Sequence, residues 1–168
     1  RKIRLRGNHE DRLERFLEAN PEFRGLSGLE FDDRDWEVVP FLTPVEVDGI
    51  SYCHYFPNPM TGKPLGGQAL TMLKTLGHSY VQGHRQYYEY ANRFVKGRKQ
   101  IGITAGAYYL HDEDYKGFQG NAHWRGLLML HEVQDGSADV MEVSIDYLCR
   151  RYEGVPVREF APEAYATE

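Results

Sequence analysis

The stretch Arg1-Lys2-Ile3-Arg4-Leu5-Arg6-Gly7-Asn8-His9-Glu10-Asp11-Arg12-Leu13 changes its periodicity halfway along. Ile3 and Leu5 alternate with basic residues, the two-residue period of a strand. Gly7-Asn8 breaks that pattern. Glu10 and Asp11 fall where a helix N-terminus favours carboxylates. Leu13, Phe16 and Leu17 then share one helical face, with Arg12, Glu14, Arg15 and Glu18 on the others. Asn20-Pro21 ends the helix. Strand, tight loop and helix in succession are the building unit of an α/β chain, and the loop at the strand end is where such folds assemble sites.

The same design recurs downstream. Val45–Val47 and Ile50–Tyr55 are β-prone and flank Asp48-Gly49, a hairpin signal, with His54 at the end of the second strand. Glu37–Phe41 is also β-prone, and Pro44 marks these segments as edge or bent strands. Pro57–Gly67 is a Pro/Gly-rich loop. Gln68–Leu76 reads as a helix stopped by Gly77, and Ser79–Gln82 as a short strand feeding Gly83-His84. Gln100–Thr104, Leu127–Val133 and Val140–Ser144 complete the strands, the last two joined by an Asp135-Gly136 turn. His111–Trp124 is polar, aromatic and Gly-rich, and is expected as a long loop over a cleft. From Gly154 onward Pro156 and Pro162 interrupt any periodicity. Residues 1–153 are therefore assigned to the domain and 154–168 to a poorly ordered tail.

The chain has 168 residues, enough for one domain with a real core. Its 41% hydrophobic and 27% charged content is ordinary for a globular protein, and a net charge of -5 gives no general attraction to nucleic acid or anionic lipid. Two cysteines, Cys53 and Cys149, make no disulfide framework and no CxxC pair, and are expected as reduced thiols in the cytoplasm. No apolar run is long enough to span a membrane. The basic first residues lack the apolar segment of a signal peptide. A strand entered in its middle, with no initiating Met, leads us to expect that the chain starts inside a domain.

Three segments place metal-type side chains at strand ends: Arg6-Gly7-Asn8-His9-Glu10, Tyr52-Cys53-His54-Tyr55 and Gln82-Gly83-His84-Arg85-Gln86. An amide oxygen with imidazole nitrogens suits a metal of intermediate hardness, such as Mn, Fe, Zn or Ni. Taken singly, each has a plainer reading. A lone strand-end His such as His54 is more often structural, Gly-His pairs occur by chance, and Gly7-Asn8 is also a turn with a helix N-cap. The three in this order are far less easily accidental. Among the remaining histidines, His78 and His131 read as structural. His111 with Asp112, Glu113 and Asp114 reads as a solvated loop. His123-Trp124 packs on the core or stacks on a base. His9-Glu10 does not begin an HExxH zinc motif, because position 13 is Leu13.

Arg4-Leu5-Arg6-Gly7-Asn8-His9-Glu10 resembles the Gly-Asn-His-Asp/Glu motif of calcineurin-like metallophosphoesterases, in a form similar to that of the serine/threonine phosphatases. His54 resembles the family's isolated strand-end His, and Gly83-His84 its last Gly-His motif. Tyr80–Gln86 and the Tyr/Gly/Trp-rich stretch after it resemble phage-type members, which implies a phage-encoded protein expressed in a bacterial host. The resemblance covers about the first half of the chain. It implies an α/β fold, the C-terminal portion of a two-sheet α/β/β/α sandwich. It implies Asn8, His54 and His84 as ligands of one metal and His9 as general acid or positive charge beside the scissile phosphate. Glu10 would orient His9 or its backbone. Arg85 or Arg12 would bind phosphate oxygens by a bidentate fork, or be solvated surface side chains.

Two departures from the family pattern stand out. The position of a second His in Gly-His-x-His is Gln86, which either offers its carbonyl oxygen to the second metal or leaves that ligand missing. The family's Asp-x-His and Gly-Asp-x-x-Asp motifs, which supply most ligands of the first metal, do not occur here. The expected function is phosphomonoester or phosphodiester hydrolysis by a metal-activated water with a His general acid. Two divalent ions are expected for the complete enzyme. The substrate is a phosphoester, with nucleic acid or a nucleotide favoured by the phage-type likeness, and a phosphoprotein is also open. The alternatives are a truncated, catalytically incomplete metal-binding remnant, or a nucleic-acid-binding module that stacks bases on the aromatic Tyr108–Trp124 region.

Overall fold

The strand–loop–helix opening is present as β1 (Ile3–Leu5) and α1 (Asn8–Ala19) in a computed structural model that describes residues 1–26, 33–113 and 120–162. β1 pairs in parallel with β2 (Glu37–Val39). The arginines that alternate with its apolar residues are tied down locally: Arg4 and Arg6 donate to the Asp33 carboxylate at 2.8 and 3.2 Å. Beyond α1, Pro21–Phe23 forms a single 3-10 turn whose Phe23 ring packs on Phe16 at 5.6 Å.

The centre is a five-stranded sheet of β3 (Val45–Val47), β4 (Ile50–Cys53), β5 (Ser79–Gln82), β6 (Tyr88–Val95) and β7 (Arg98–Ala105), in the order β3-β4-β5-β7-β6. Its inner strands β4, β5 and β7 run parallel, and the edge strands β3 and β6 are antiparallel additions. α2 (Ala69–Leu76) covers one face: Met72 and Leu73 pack with Cys53, Phe56 and Tyr80, and the Tyr80 hydroxyl donates to the Ala69 carbonyl at 3.1 Å. On the opposite face Ile50, Ile101 and Ile103 meet Ala138, Leu128, Leu130 and Val140 of a second antiparallel pair, β8 (Gly126–Gln134) and β9 (Ser137–Ser144). The layers are thus helix, sheet and hairpin, in a mixed α/β architecture. Parallel strands need cover on both faces, and the apolar side chains on the two sides of β4, β5 and β7 obtain it.

Two expected hairpin turns dock on each other. Asp48-Gly49 and Asp135-Gly136 each place both residues at positive φ, as the tightest hairpin turns require. The Gly136 N–H donates to the Asp48 carbonyl at 2.9 Å. A Cβ added to Gly49 would lie 2.7 Å from the Gly136 nitrogen, so the two turns approach backbone to backbone. This contact seats the hairpin on the central sheet.

The structure also departs from expectation. Tyr88–Val95 is a strand that the sequence reading does not assign, because Asn92 and Arg93 interrupt its apolar pattern. It is paired along its whole length with β7 and works as a largely solvated edge. Ile145–Tyr152 is a helix, α3, begun by the Ser144 hydroxyl accepting from the Tyr147 N–H at 3.1 Å. The stretch from Gly154 onward, expected to be poorly ordered, contains the helical turn α4 (Val157–Phe160), whose Val157 N–H donates to the Asp146 carboxylate at 3.1 Å. The rest of that expectation, and the middle of the His111–Trp124 loop with Asp114, lie outside the described residues. No described helix is long and apolar enough to cross a membrane.

Candidate metal centre

β4 and β5 are neighbours in parallel register, with Cys53 opposite Gln82. Their C-terminal ends therefore deliver His54 and Gly83-His84 side by side. The N-terminus of α1 brings Asn8 to the same place. Asn8 Oδ1 lies 2.8 Å from His54 Nε2 and 3.3 Å from His84 Nδ1, and the two imidazole nitrogens are 3.2 Å apart. Donor atoms about 2.0–2.1 Å from one ion stand roughly 2.8–3.4 Å from each other at octahedral to tetrahedral angles. The triangle formed by Asn8, His54 and His84 matches one face of such a polyhedron. An amide oxygen is an acceptor only, so an imidazole hydrogen-bonded to Asn8 Oδ1 does so as an N–H donor.

Both imidazoles are biased toward the neutral form that a metal needs. Burial, reinforced by the neighbouring His84, lowers the His54 pKa to about 4 despite the opposing charge of Glu10. His84 is also lowered, by burial and then by the positive charges of Arg85 and His9. Aromatic rings hold both in orientation. Tyr55 packs on His84 at 4.8 Å and on His54 at 5.8 Å, and Phe41 packs on His54 at 5.9 Å and edge-on to Tyr55 at 5.6 Å.

The loop geometry differs from the simplest reading of its glycines. Gly7 has an extended backbone, φ -97° and ψ 179°. Its requirement is space: a Cβ there would lie 2.8 Å from His54 Cε1 and 2.9 Å from the Glu10 carboxylate. At Gly83-His84 it is His84 itself that takes the left-handed conformation, φ 61°, in a turn closed by the Arg85 N–H to the Gly83 carbonyl at 2.6 Å. A non-glycine residue held there is a local strain of the kind concentrated at functional positions.

The remaining candidates fall in different places. His9 is exposed and borders a cavity of about 450 Å³ together with the three donors, Arg85 and Gln86. The Glu10 carboxylate accepts from the Gly7 N–H at 3.0 Å, so it fixes the start of α1. Arg85 directs its guanidinium away into the Pro/Gly loop, donating to the Gly67 and Leu65 carbonyls and the Tyr87 hydroxyl at 2.6–2.7 Å. Gln86 donates its amide to Glu113 at 3.3 Å. Arg12 is exposed on α1 and is not among the residues lining this cavity.

Among the described residues no cluster of three or more His, Cys, Asp or Glu side chains suits a metal, because the triad here contains an amide. Asp112 ion-pairs with the buried Arg125. Trp124 packs on Tyr88 at 5.0 Å and against Gly106, which makes it a core contact. Sequence reasoning missed Phe41, Tyr55 and Tyr109 as neighbours of the site. Tyr55 carried a signal, adjacency to His54; Phe41 and Tyr109 arrive only by folding. Comparison with protein-family models, curated proteins and solved structures finds no match.

Proposed function

We propose that this chain is a metal-dependent phosphoester hydrolase of the calcineurin-like type, carrying the C-terminal portion of that family's two-sheet sandwich. One observation carries the reading: Asn8 Oδ1, His54 Nε2 and His84 Nδ1 converge within 3.3 Å of one another at two adjacent strand ends and a helix N-terminus. Asn8, His54 and His84 hold one divalent ion. Such an ion supplies Lewis-acid polarisation of a phosphoryl oxygen and a bound water of lowered pKa. His9, the next residue after the ligand Asn8, faces the same cavity and donates a proton to the departing oxygen, which spares the expulsion of an alkoxide. The Gly7–Glu10 bond keeps Asn8 and His9 in place at the first turn of α1. These three donors serve one ion, and the proposal of a second ion, with Gln86 as ligand, rests on the resemblance.

The test is a Mn(II) titration, then hydrolysis of p-nitrophenyl phosphate and bis-p-nitrophenyl phosphate. The expected result is one Mn(II) bound through the triad, and Mn-dependent turnover that falls about a hundredfold or more in His9→Ala with binding retained. Mn(II) held through His54 and His84 without hydrolysis would establish the metal-binding remnant instead. Failure to bind Mn(II), Zn(II), Ni(II) or Fe(II) would overturn both.

A further inference from the structure

A second cavity, of about 460 Å³, lies between the segment after β7 and the helices α3 and α4. Its size falls within the range of about 300–1,000 Å³ typical of small-molecule sites. Leu127, Ile145 and Leu148 form an apolar floor. Three aromatic side chains stand at its walls yet remain open to solvent: Tyr108 is 64% exposed, Tyr152 75% and Phe160 46%. Exposed rings around an apolar floor offer stacking faces that the other described residues leave open. The only carboxylate in the wall, among the described residues, is Glu153.

Tyr109 borders both this cavity and the metal-centre cavity. Its ring is fixed by a stacking contact with His111 at 4.7 Å, by the Arg125 guanidinium over its face at 5.2 Å, and by its hydroxyl against His123 Nε2 at 3.3 Å. Tyr109 is thus a wall common to the two cavities.

We propose that the aromatic cavity is a nucleobase site, so that the hydrolase acts on nucleotide phosphoesters. The base stacks among Tyr108, Tyr152 and Phe160 while its phosphate reaches Asn8, His54 and His84 past Tyr109. The Glu153 carboxylate accepts from an exocyclic amine of the base, which favours adenine, guanine and cytosine. It also disfavours an anionic lipid surface as the occupant. The phosphate end of this assignment rests on the proposed function, whereas the base end stands on the cavity alone.

Adenosine 5′-monophosphate and ribose 5-phosphate release the same primary alkoxide, so their rate ratio isolates the base. With Mn(II) present, kcat/KM for the nucleotide should exceed that for the sugar phosphate by about tenfold or more, the scale of one stacked base. In Tyr152→Ala and in Phe160→Leu the ratio should fall toward one, and in Phe94→Ala, on the exposed edge strand β6, it should not move. Adenosine binding to the metal-free protein, measured by equilibrium dialysis, should be saturable, not displaced by ribose, and weakened about fivefold or more in Tyr152→Ala. Equal turnover of both substrates without adenosine binding overturns the base site and leaves the hydrolase reading standing. Adenosine binding lost in Tyr152→Ala, with neither substrate turned over, supports the base site and overturns the hydrolase reading. Adenosine binding indifferent to both substitutions overturns the base site.

Discussion

His54 Nε2 stands 3.2 Å from His84 Nδ1, although the two residues are 30 positions apart in sequence. The half-buried His54 and the more exposed His84, both with lowered pKa, face each other beside the Asn8 amide oxygen. On the proposed reading, this cluster binds one divalent cation. His54→Ala and His84→Ala should each weaken Mn(II) or Zn(II) binding by more than about a hundredfold, since even supporting residues around a metal are worth ten- to a hundredfold. Isothermal titration with each metal reads this directly, and binding at near wild-type affinity in either variant would remove the triad from consideration.

Gly7→Ala should weaken metal binding without replacing a ligand. The new methyl group would meet His54 Cε1 at 2.8 Å, and the imidazole must move. Overpacking of this kind costs about 1–3 kcal/mol. Metal affinity should fall about ten- to a hundredfold, as for other disturbances of ligand orientation, while circular dichroism stays native. Unchanged affinity would show that the His54 ring is free to adjust.

The depressed His54 pKa fixes the sign of a pH effect. Between the unfolded value of 6.5 and the folded value of about 4, the unfolded chain binds more protons at this site than the native chain. Stability from this group is therefore complete above pH 6.5 and is lost as pH falls through about 4. Lowered in the same direction, His84 adds to the slope. The urea midpoint of the metal-free protein should drop between pH 7 and pH 4.5, and less steeply in His54→Gln. Metal affinity should decline over the same range, because protons compete for the ligand nitrogens. A midpoint independent of pH in this window would contradict the burial of His54.

Gly136→Ala should destabilise the fold without altering metal binding. Gly136 sits at φ 78°, and an added Cβ would lie 2.8 Å from the Gly49 carbonyl oxygen. The left-handed backbone costs a side chain about 1–2 kcal/mol, and the clash adds to it. For a domain of this size the melting temperature should fall by roughly 5–10 °C. A shift below about 1 °C would show that the two turns do not depend on their close approach.

Cys53 is 1% exposed, and burial raises its thiol pKa. Little thiolate forms at neutral pH, so the group should be inert to Ellman's reagent until the protein is denatured. Rapid modification of the native Cys53, resolved in a Cys149→Ser variant, would place it at the surface.

The sequence alone determined the local events that create this site. Strand period in Ile3 and Leu5, helical period in Leu13 and Leu17, and the turn pairs Asp48-Gly49 and Asp135-Gly136 are short-range preferences, and the elements they specify are present. It also singled out Asn8, His54 and His84, because each ends a strand or opens a helix. Strand β6 was illegible, since an edge strand has little burial to impose alternation, and its pairing with β7 is decided across the sheet. α3 and α4 were missed because short helices depend on capping and docking more than on propensity. Only the tertiary structure decided that three donors 30 to 76 residues apart meet within 3.3 Å. It also decided that Arg85 braces a loop and that Tyr109 stands between two cavities. Those relationships are set by sheet register and by the packing of side chains distant in sequence, which no local pattern encodes.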